Sequence, residues 1–163
     1  MGQPGQMAPP SGPPGGATSL VFRAGPLLCA VRIEDVIETM RPLAVHPLAG
    51  TPPFVSGICI MRGAPTLVVD VARLLGGVTA PVRRFVAVRT ERGPVAFAIG
   101  EIQGVRPVAA DAAARHEALL GDAPARLVAA VGTLDAEPVL VLQSMRLVPD
   151  EVWSAAADLA VPS

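Results

Sequence analysis

From Ser19 onward the chain is a succession of short apolar runs rich in Val, Leu and Ile, each broken by glycine or proline. Such runs predict strands, and the residues between them predict how the strands connect. Ser19–Arg23 and Leu27–Arg32 flank Ala24-Gly25-Pro26, a hairpin signal. Val55–Met61 and Pro65–Asp70 flank Arg62-Gly63-Ala64 in the same way. Arg83–Thr90 and Val95–Gly100 flank Glu91-Arg92-Gly93-Pro94, and Val128–Leu134 and Glu137–Leu142 flank Asp135-Ala136. Between these hairpins Ile33–Thr39, Val71–Leu75, Ala112–Leu120 and Ser144–Leu147 predict short helices. Asp150–Leu159 predicts a C-terminal helix capped by Asp150, and Asp70 stands where it caps the helix at Val71. Many short strands and little helix predict an all-β chain with a few short helices.

The pattern also repeats. Pro65-Thr-Leu-Val-Val-Asp-Val-Ala-Arg-Leu-Leu75 returns as Pro138-Val-Leu-Val-Leu-Gln-Ser-Met-Arg-Leu-Val148, a constant offset of 73 (138 − 65). Upstream, Gly25-Pro26-Leu-Leu-Cys-Ala-Val31 is echoed by Gly93-Pro94-Val-Ala-Phe-Ala-Ile99 at an offset of 68 (93 − 25). The two halves therefore differ by a loop-length change of five residues (73 − 68). Strands this short cannot stay flat with bare edges, so each half is expected to close into a small barrel. The expected lobes are 19–80 and 81–148, packed together because neither is large enough to be stable alone. A groove at their junction is the expected place for a partner.

Composition narrows the function. The first 18 residues are dominated by Gly and Pro and read as a flexible tail. The remaining chain is long enough to bury a real core, and 51% apolar residues exclude wholesale disorder. A net charge of −1, with every basic residue an arginine, offers no electrostatic reason to bind nucleic acid or an anionic membrane. Only 3% of residues are aromatic, which argues against surfaces that stack bases or sugars. No charge precedes Arg23, so no secretory n-region is expected, and no apolar run approaches a membrane span. A soluble cytoplasmic protein is the expectation.

Chemistry is scarce. Cys29 and Cys59 lie in apolar runs at no metal spacing and read as small buried hydrophobes; they are also the residues any thiol enzymology would use. His46 precedes a proline in an expected loop, and His116 falls on an expected helix far from it, so no metal is implied. Glu34, Asp35 and Glu38 cluster as a solvated face. Arg83, Arg84 and Arg106 are scattered positive charges. Gly76-Gly77 follows a predicted helix rather than preceding one, which fits no nucleotide fingerprint. What remains is surface for binding proteins, with a thiol-dependent enzyme and a nucleic-acid-binding small barrel as the alternatives.

Four segments, taken in order, resemble the CheW family of chemotaxis coupling proteins over residues 18–150. They are Leu20-Val-Phe-Arg-Ala-Gly25; Cys29-Ala-Val-Arg-Ile-Glu-Asp-Val-Ile-Glu38; Pro52-Pro-Phe-Val-Ser-Gly57-Ile-Cys-Ile-Met-Arg-Gly63; and Pro65-Thr-Leu-Val-Val-Asp70. The resemblance implies two small five-stranded β-barrel lobes around a shared core. It implies an adaptor without catalysis or cofactor, linking the cytoplasmic tip of methyl-accepting chemoreceptors to the regulatory domain of a CheA-type histidine kinase. Such a protein is recruited to membrane-associated receptor arrays. Carried onto this chain, the partner-binding residues are Val36, Glu38, Gly57 and Arg62, with Val105 on a second wall. The chain departs from the family pattern at Ile60, where Asn is usual, at the Ala24-Gly25-Pro26-Leu27 turn and at Thr39-Met40. These departures point to a paralogous, non-motility pathway as the second reading.

Overall fold

The computed structural model describes residues 16–76, 78–112, 128–143 and 153–154. In chain order the elements are β1 (Ala17–Ala24), β2 (Leu27–Arg32), a 3-10 turn (Ile33–Asp35), β3 (Val36–Met40), β4 (Val55–Met61), β5 (Ala64–Asp70) and α1 (Val71–Gly76). They continue with β6 (Arg84–Thr90), β7 (Gly93–Ile99), β8 (Ile102–Val108), β9 (Ala110–Ala112), β10 (Val128–Leu134) and β11 (Glu137–Leu142). All four expected hairpins form. The backbone N–H of Arg73 donates to Asp70 Oδ1 at 3.3 Å, so Asp70 does cap α1.

The strands sort into two sheets, β8-β1-β2-β11-β10-β9 and β3-β6-β7-β5-β4. The expected division at 19–80 and 81–148 is therefore not how the chain is partitioned. The first hairpin, β1–β2, leaves its own half and pairs with β8 and, in parallel, with β11. The β6–β7 hairpin does the converse, pairing with β3 and, in parallel, with β5. Hydrophobic periodicity tells which residues form a strand but not which strand lies beside it.

Each sheet closes by one device. β8 and β9 are consecutive, interrupted only at Ala109, yet they form opposite edges of the first sheet. Counted as one bent strand, they turn that sheet into a five-stranded barrel with no free edge. In the second sheet the chain leaving β3 reaches His46, which exchanges backbone hydrogen bonds with Ile58 of β4 at 2.8 and 2.9 Å. Asp111 stands opposite Val131 in the first barrel as His46 stands opposite Ile58 in the second. Val131 is the repeat mate of Ile58 (131 − 58 = 73), so the duplication extends to the closure itself.

The ladders also correct the upstream offset. The turn-flanking pair Ala24 and Leu27 matches Thr90 and Gly93, an offset of 66 (90 − 24). Ladder irregularities at Val36/Glu38 and Val21/Phe22, the latter opposite Ile102 and Gly104, agree with it. The Gly-Pro echo misleads because Gly25 lies inside its turn, whereas Gly93 begins a strand.

Alternation of side chains across the strands creates three apolar layers. Val21, Leu28, Ala30, Val108 and Val139 fill the first barrel, and Cys59, Met61, Val68, Phe85, Ala87, Ala96 and Ala98 fill the second. The opposite faces supply a larger shared core that includes Phe22, Cys29, Val31, Leu67, Val69, Val86, Phe97, Ile99 and Leu140. Trp153, in a helical turn with Ser154, packs against that core. The junction between the barrels is thus filled by the chain's own side chains rather than left as a groove.

Two expected helices need comment. Ile33–Thr39 is instead a 3-10 turn followed by β3. The i, i+4 spacing of Glu34 and Glu38 suggests a helical face, but Val36, Ile37 and Thr39 are β-branched, and Val36, Glu38, Thr39 and Met40 pair with β6. The expected helices after Ala112 and Gln143, and the body of the C-terminal helix, lie outside the described residues, as does His116. No described helix is long and apolar enough to cross a membrane.

Candidate functional site

The β4–β5 connection is a two-residue turn in which Arg62 (φ 51°) and Gly63 (φ 79°) both adopt left-handed backbone. That geometry matches the twist of the flanking strands and lifts the Arg62 side chain off the end of the hairpin. Glu38 lies opposite Ala87 on β6, just past the irregularity in β3. β3 and β4 are the outermost strands of this sheet, so closure of the barrel brings the two side chains together. Arg62 Nε donates to Glu38 Oε2 at 2.5 Å and Nη2 donates to Oε1 at 2.7 Å, a two-pronged pair.

The pair is a surface feature. The Arg62 side chain is 76% exposed and that of Glu38 25%. Hydrogen bonding from Arg62 holds the Glu38 carboxyl below the usual carboxylate range, and the same contact raises the guanidinium. Water screens most of its energy, so the pair's main effect is to hold two opposite charges in a defined orientation at the barrel seam.

Apolar residues flank it. Ile37 on β3 is 41% exposed and Ile60 on β4 is 54% exposed, while Val36 is half-buried against the shared core. Ile60 lies on the strand immediately before the Arg62 turn. The sequence marks Ile60 only as a departure from a pattern and, with Ile33–Thr39 read as helix, puts Ile37 on that helix's apolar side; alternation along two strands turns both outward.

Gly57 is buried and has φ 142°. A Cβ there would lie 2.1 Å from the His46 carbonyl oxygen. Its place in the fold is to let β4 pass against the backbone of His46 at the barrel closure. Val105, 53% exposed, lies on β8 opposite Leu20 and thus on the other barrel. The structure therefore groups Val36, Glu38, Gly57 and Arg62 on one sheet and sets Val105 apart.

The first barrel carries a counterpart that the sequence reading missed. Asp135 and Ala136 occupy the β10–β11 turn with φ 51° and 67°, repeating Arg62-Gly63. Arg106 Nη1 donates to Asp135 Oδ2 at 3.3 Å. The turn residue is now the acid and the strand residue the base. A further ion pair joins Arg23 of β1 to Glu137, with Nη2 to Oε1 at 2.7 Å, stapling the first hairpin to the last.

Among the described residues the candidate catalytic groups do not converge. Cys29 and Cys59 are buried, and burial pushes the Cys29 thiol up to about 12 and raises that of Cys59. Such thiols are poor nucleophiles at neutral pH. His46 is exposed and contributes its backbone to the closure. Among the described residues no three His, Cys, Asp or Glu side chains gather as a metal site.

Comparison with known proteins agrees with this reading. No curated protein matches the chain. Among solved structures it is similar to the scaffolding protein TtCheW of Thermoanaerobacter tengcongensis, at 18% identity and a TM-score of 0.70, covering 80% of this chain and 91% of that one. At this identity the likeness speaks for the fold. The family profile described as the CheW-like domain matches residues 18–152, nearly the whole span of the two barrels. This chain belongs to the CheW family, a family of scaffold proteins without catalysis.

Proposed function

We propose that the protein is a non-enzymatic adaptor that couples the cytoplasmic tip of methyl-accepting chemoreceptors to the regulatory domain of a CheA-type histidine kinase. Family membership over residues 18–152 carries the proposal. The surface around Glu38 and Arg62 supports it. A receptor tip is helical, and a helix docks through an apolar stripe flanked by polar contacts. Ile37 and Ile60 supply exposed apolar area, and the Glu38–Arg62 pair supplies orienting charge. Gly57 serves indirectly, by keeping β4 in place against His46. Val105 provides a second, separate contact on the first barrel. Through these contacts the protein is recruited to cytoplasmic receptor arrays, where many weak contacts add up through multivalency.

The test is retention of the full chain by an immobilised receptor cytoplasmic fragment, repeated with Ile60→Asp and Arg62→Ala. Both variants are expected to lose about tenfold in affinity with little change in melting temperature. Undiminished retention of both overturns the site assignment. Ile60 favours a second reading: a fully apolar side chain, 54% exposed at this position, suits a receptor from a paralogous chemosensory pathway outside motility. Recovery of binding to a flagellar-type receptor by Ile60→Asn, with none by the wild type, would establish that second reading.

A further inference from the structure

The opposite end of the second barrel collects four arginines, of which Arg73 donates from Nη2 to Thr79 Oγ1 at 3.2 Å. β5 and β7 run parallel, β6 runs against them, and β3 runs against β6. The ends of β3, β5 and β7 and the start of β6 therefore meet at one end of the barrel. Arg41 follows β3, Arg73 lies on α1 just after β5, and Arg83 and Arg84 open β6. All four are exposed, and none forms an ion pair among the described residues.

The β3–β6 ladder ends at Met40–Phe85, and Arg41 and Arg84 are the next residues along the two chains at that end. Among the described residues the acids at this end are Asp70, already engaged as the α1 cap, and Glu101 after β7, so the described arginines outnumber the described acids there. Val82, next to Arg83 in the chain, lines a shallow dimple with Gly25, Asp70, Ala72, Pro81 and Ile99 that has no room for a water molecule. Val82 and nearby Val78 are themselves exposed.

We infer that this end of the second barrel, built from Arg41, Arg83 and Arg84 around Val82, is a docking surface for an acidic peptide segment of a partner protein. Guanidinium forks match carboxylates two-pronged, and Val82, exposed and next to Arg83 in the chain, adds an apolar contact beside them. Nucleic acid is disfavoured because Phe22, Phe85 and Phe97 are buried and Phe54, nearest this end, is packed against the shared core, so among the described residues no aromatic ring is offered freely for stacking. An anionic membrane is disfavoured because the chain as a whole has a net charge of −1. The surface lies at the other end of the barrel from Arg62, so it goes beyond the receptor-facing site and stands or falls independently of it.

The experiment titrates the full chain into a dye-labelled oligo-glutamate peptide with interspersed leucines and follows fluorescence anisotropy at low and physiological salt. Binding that weakens with salt is expected. Arg83→Glu combined with Arg84→Glu should weaken it about tenfold or more, while Arg89→Glu, at the far end of β6, leaves it unchanged. Arg84→Gln removes charge without reversing it and should move the affinity in the same direction even if the double variant melts early. The inference is overturned by absent peptide binding, by equal loss in Arg89→Glu, or by tighter binding of phosphatidylserine vesicles or an oligonucleotide than of the peptide.

Discussion

Arg62 and Asp135 occupy the same turn position in the two repeats, share a φ of 51°, and carry opposite charges. Each reaches across a barrel seam to a strand residue of the other sign, Glu38 in one case and Arg106 in the other. The repeat has thus kept the geometry of the clamp and inverted its polarity. The two barrels present opposite charge patterns at their turns on an otherwise shared scaffold.

The pH dependence of the clamp follows from its sign. Arg62 lowers the Glu38 carboxyl, and Arg23 lowers that of Glu137. Carboxylates lowered by folding add stability that is present above their unfolded values and is lost as pH falls through the lowered folded values. Carboxyl-carbon NMR titration should therefore find both groups below the ordinary carboxylate range. Arg62→Ala should return Glu38, and not Glu137, to the ordinary range. A Glu38 titration that ignores Arg62→Ala would contradict the ion pair.

Gly57→Ala should be severe. The added methyl meets the His46 carbonyl at 2.1 Å, from a backbone angle that side chains seldom adopt. Urea unfolding should lose ~2–4 kcal/mol, at the upper end of single substitutions. Gly63→Ala, in an open turn with φ 79°, should cost only ~1 kcal/mol. Similar losses for the two would mean that the barrel closure at His46 is not a tight crossing.

Cys29 offers a probe of the shared core. Its thiol, raised to about 12 by burial, stays protonated in the folded state across the range where an unfolded thiol ionises. The folded chain therefore holds more protons there, and this contribution to stability declines as pH climbs from ordinary thiol values toward 12. Labelling by a thiol reagent at neutral pH should follow global unfolding. Cys29→Ser should cost ~1–3 kcal/mol by burying a hydroxyl, and Cys29→Ala less. Fast labelling of the folded chain would revive a thiol-based activity.

Exposure makes Ile60→Asp the cleaner surface probe and Val36→Asp the poorer one. Ile60 is 54% exposed, whereas Val36 packs on the shared core. Thermal melts should hold for Ile60→Asp and drop for Val36→Asp, because a charge beside that core is costly. Equal melting temperatures would show that Val36 lies freer than its packing implies.

Much of the fold is legible in the sequence. The four hairpins follow from apolar runs and their turns, and Glu38 and Arg62 came from a family resemblance that barrel closure then made a contact. β8 escaped notice because Ile102–Val108 holds Gly104 and Pro107 and turns mostly outward, so little apolar alternation marks it. β3 was hidden by two glutamates at helical spacing. The exchange of hairpins between halves had no signature at all, since a strand's own pattern does not name its neighbour.

That exchange has a consequence during synthesis. The hairpin of β1 and β2 leaves the ribosome first, while its neighbours β8 and β11 are made after the whole second barrel. The barrel that contains β3 to β7 is complete earlier, with its outer face bare on the side the other will cover. For that interval the nascent chain holds an orphan hairpin and a naked apolar wall together, and each is the other's nearest shelter.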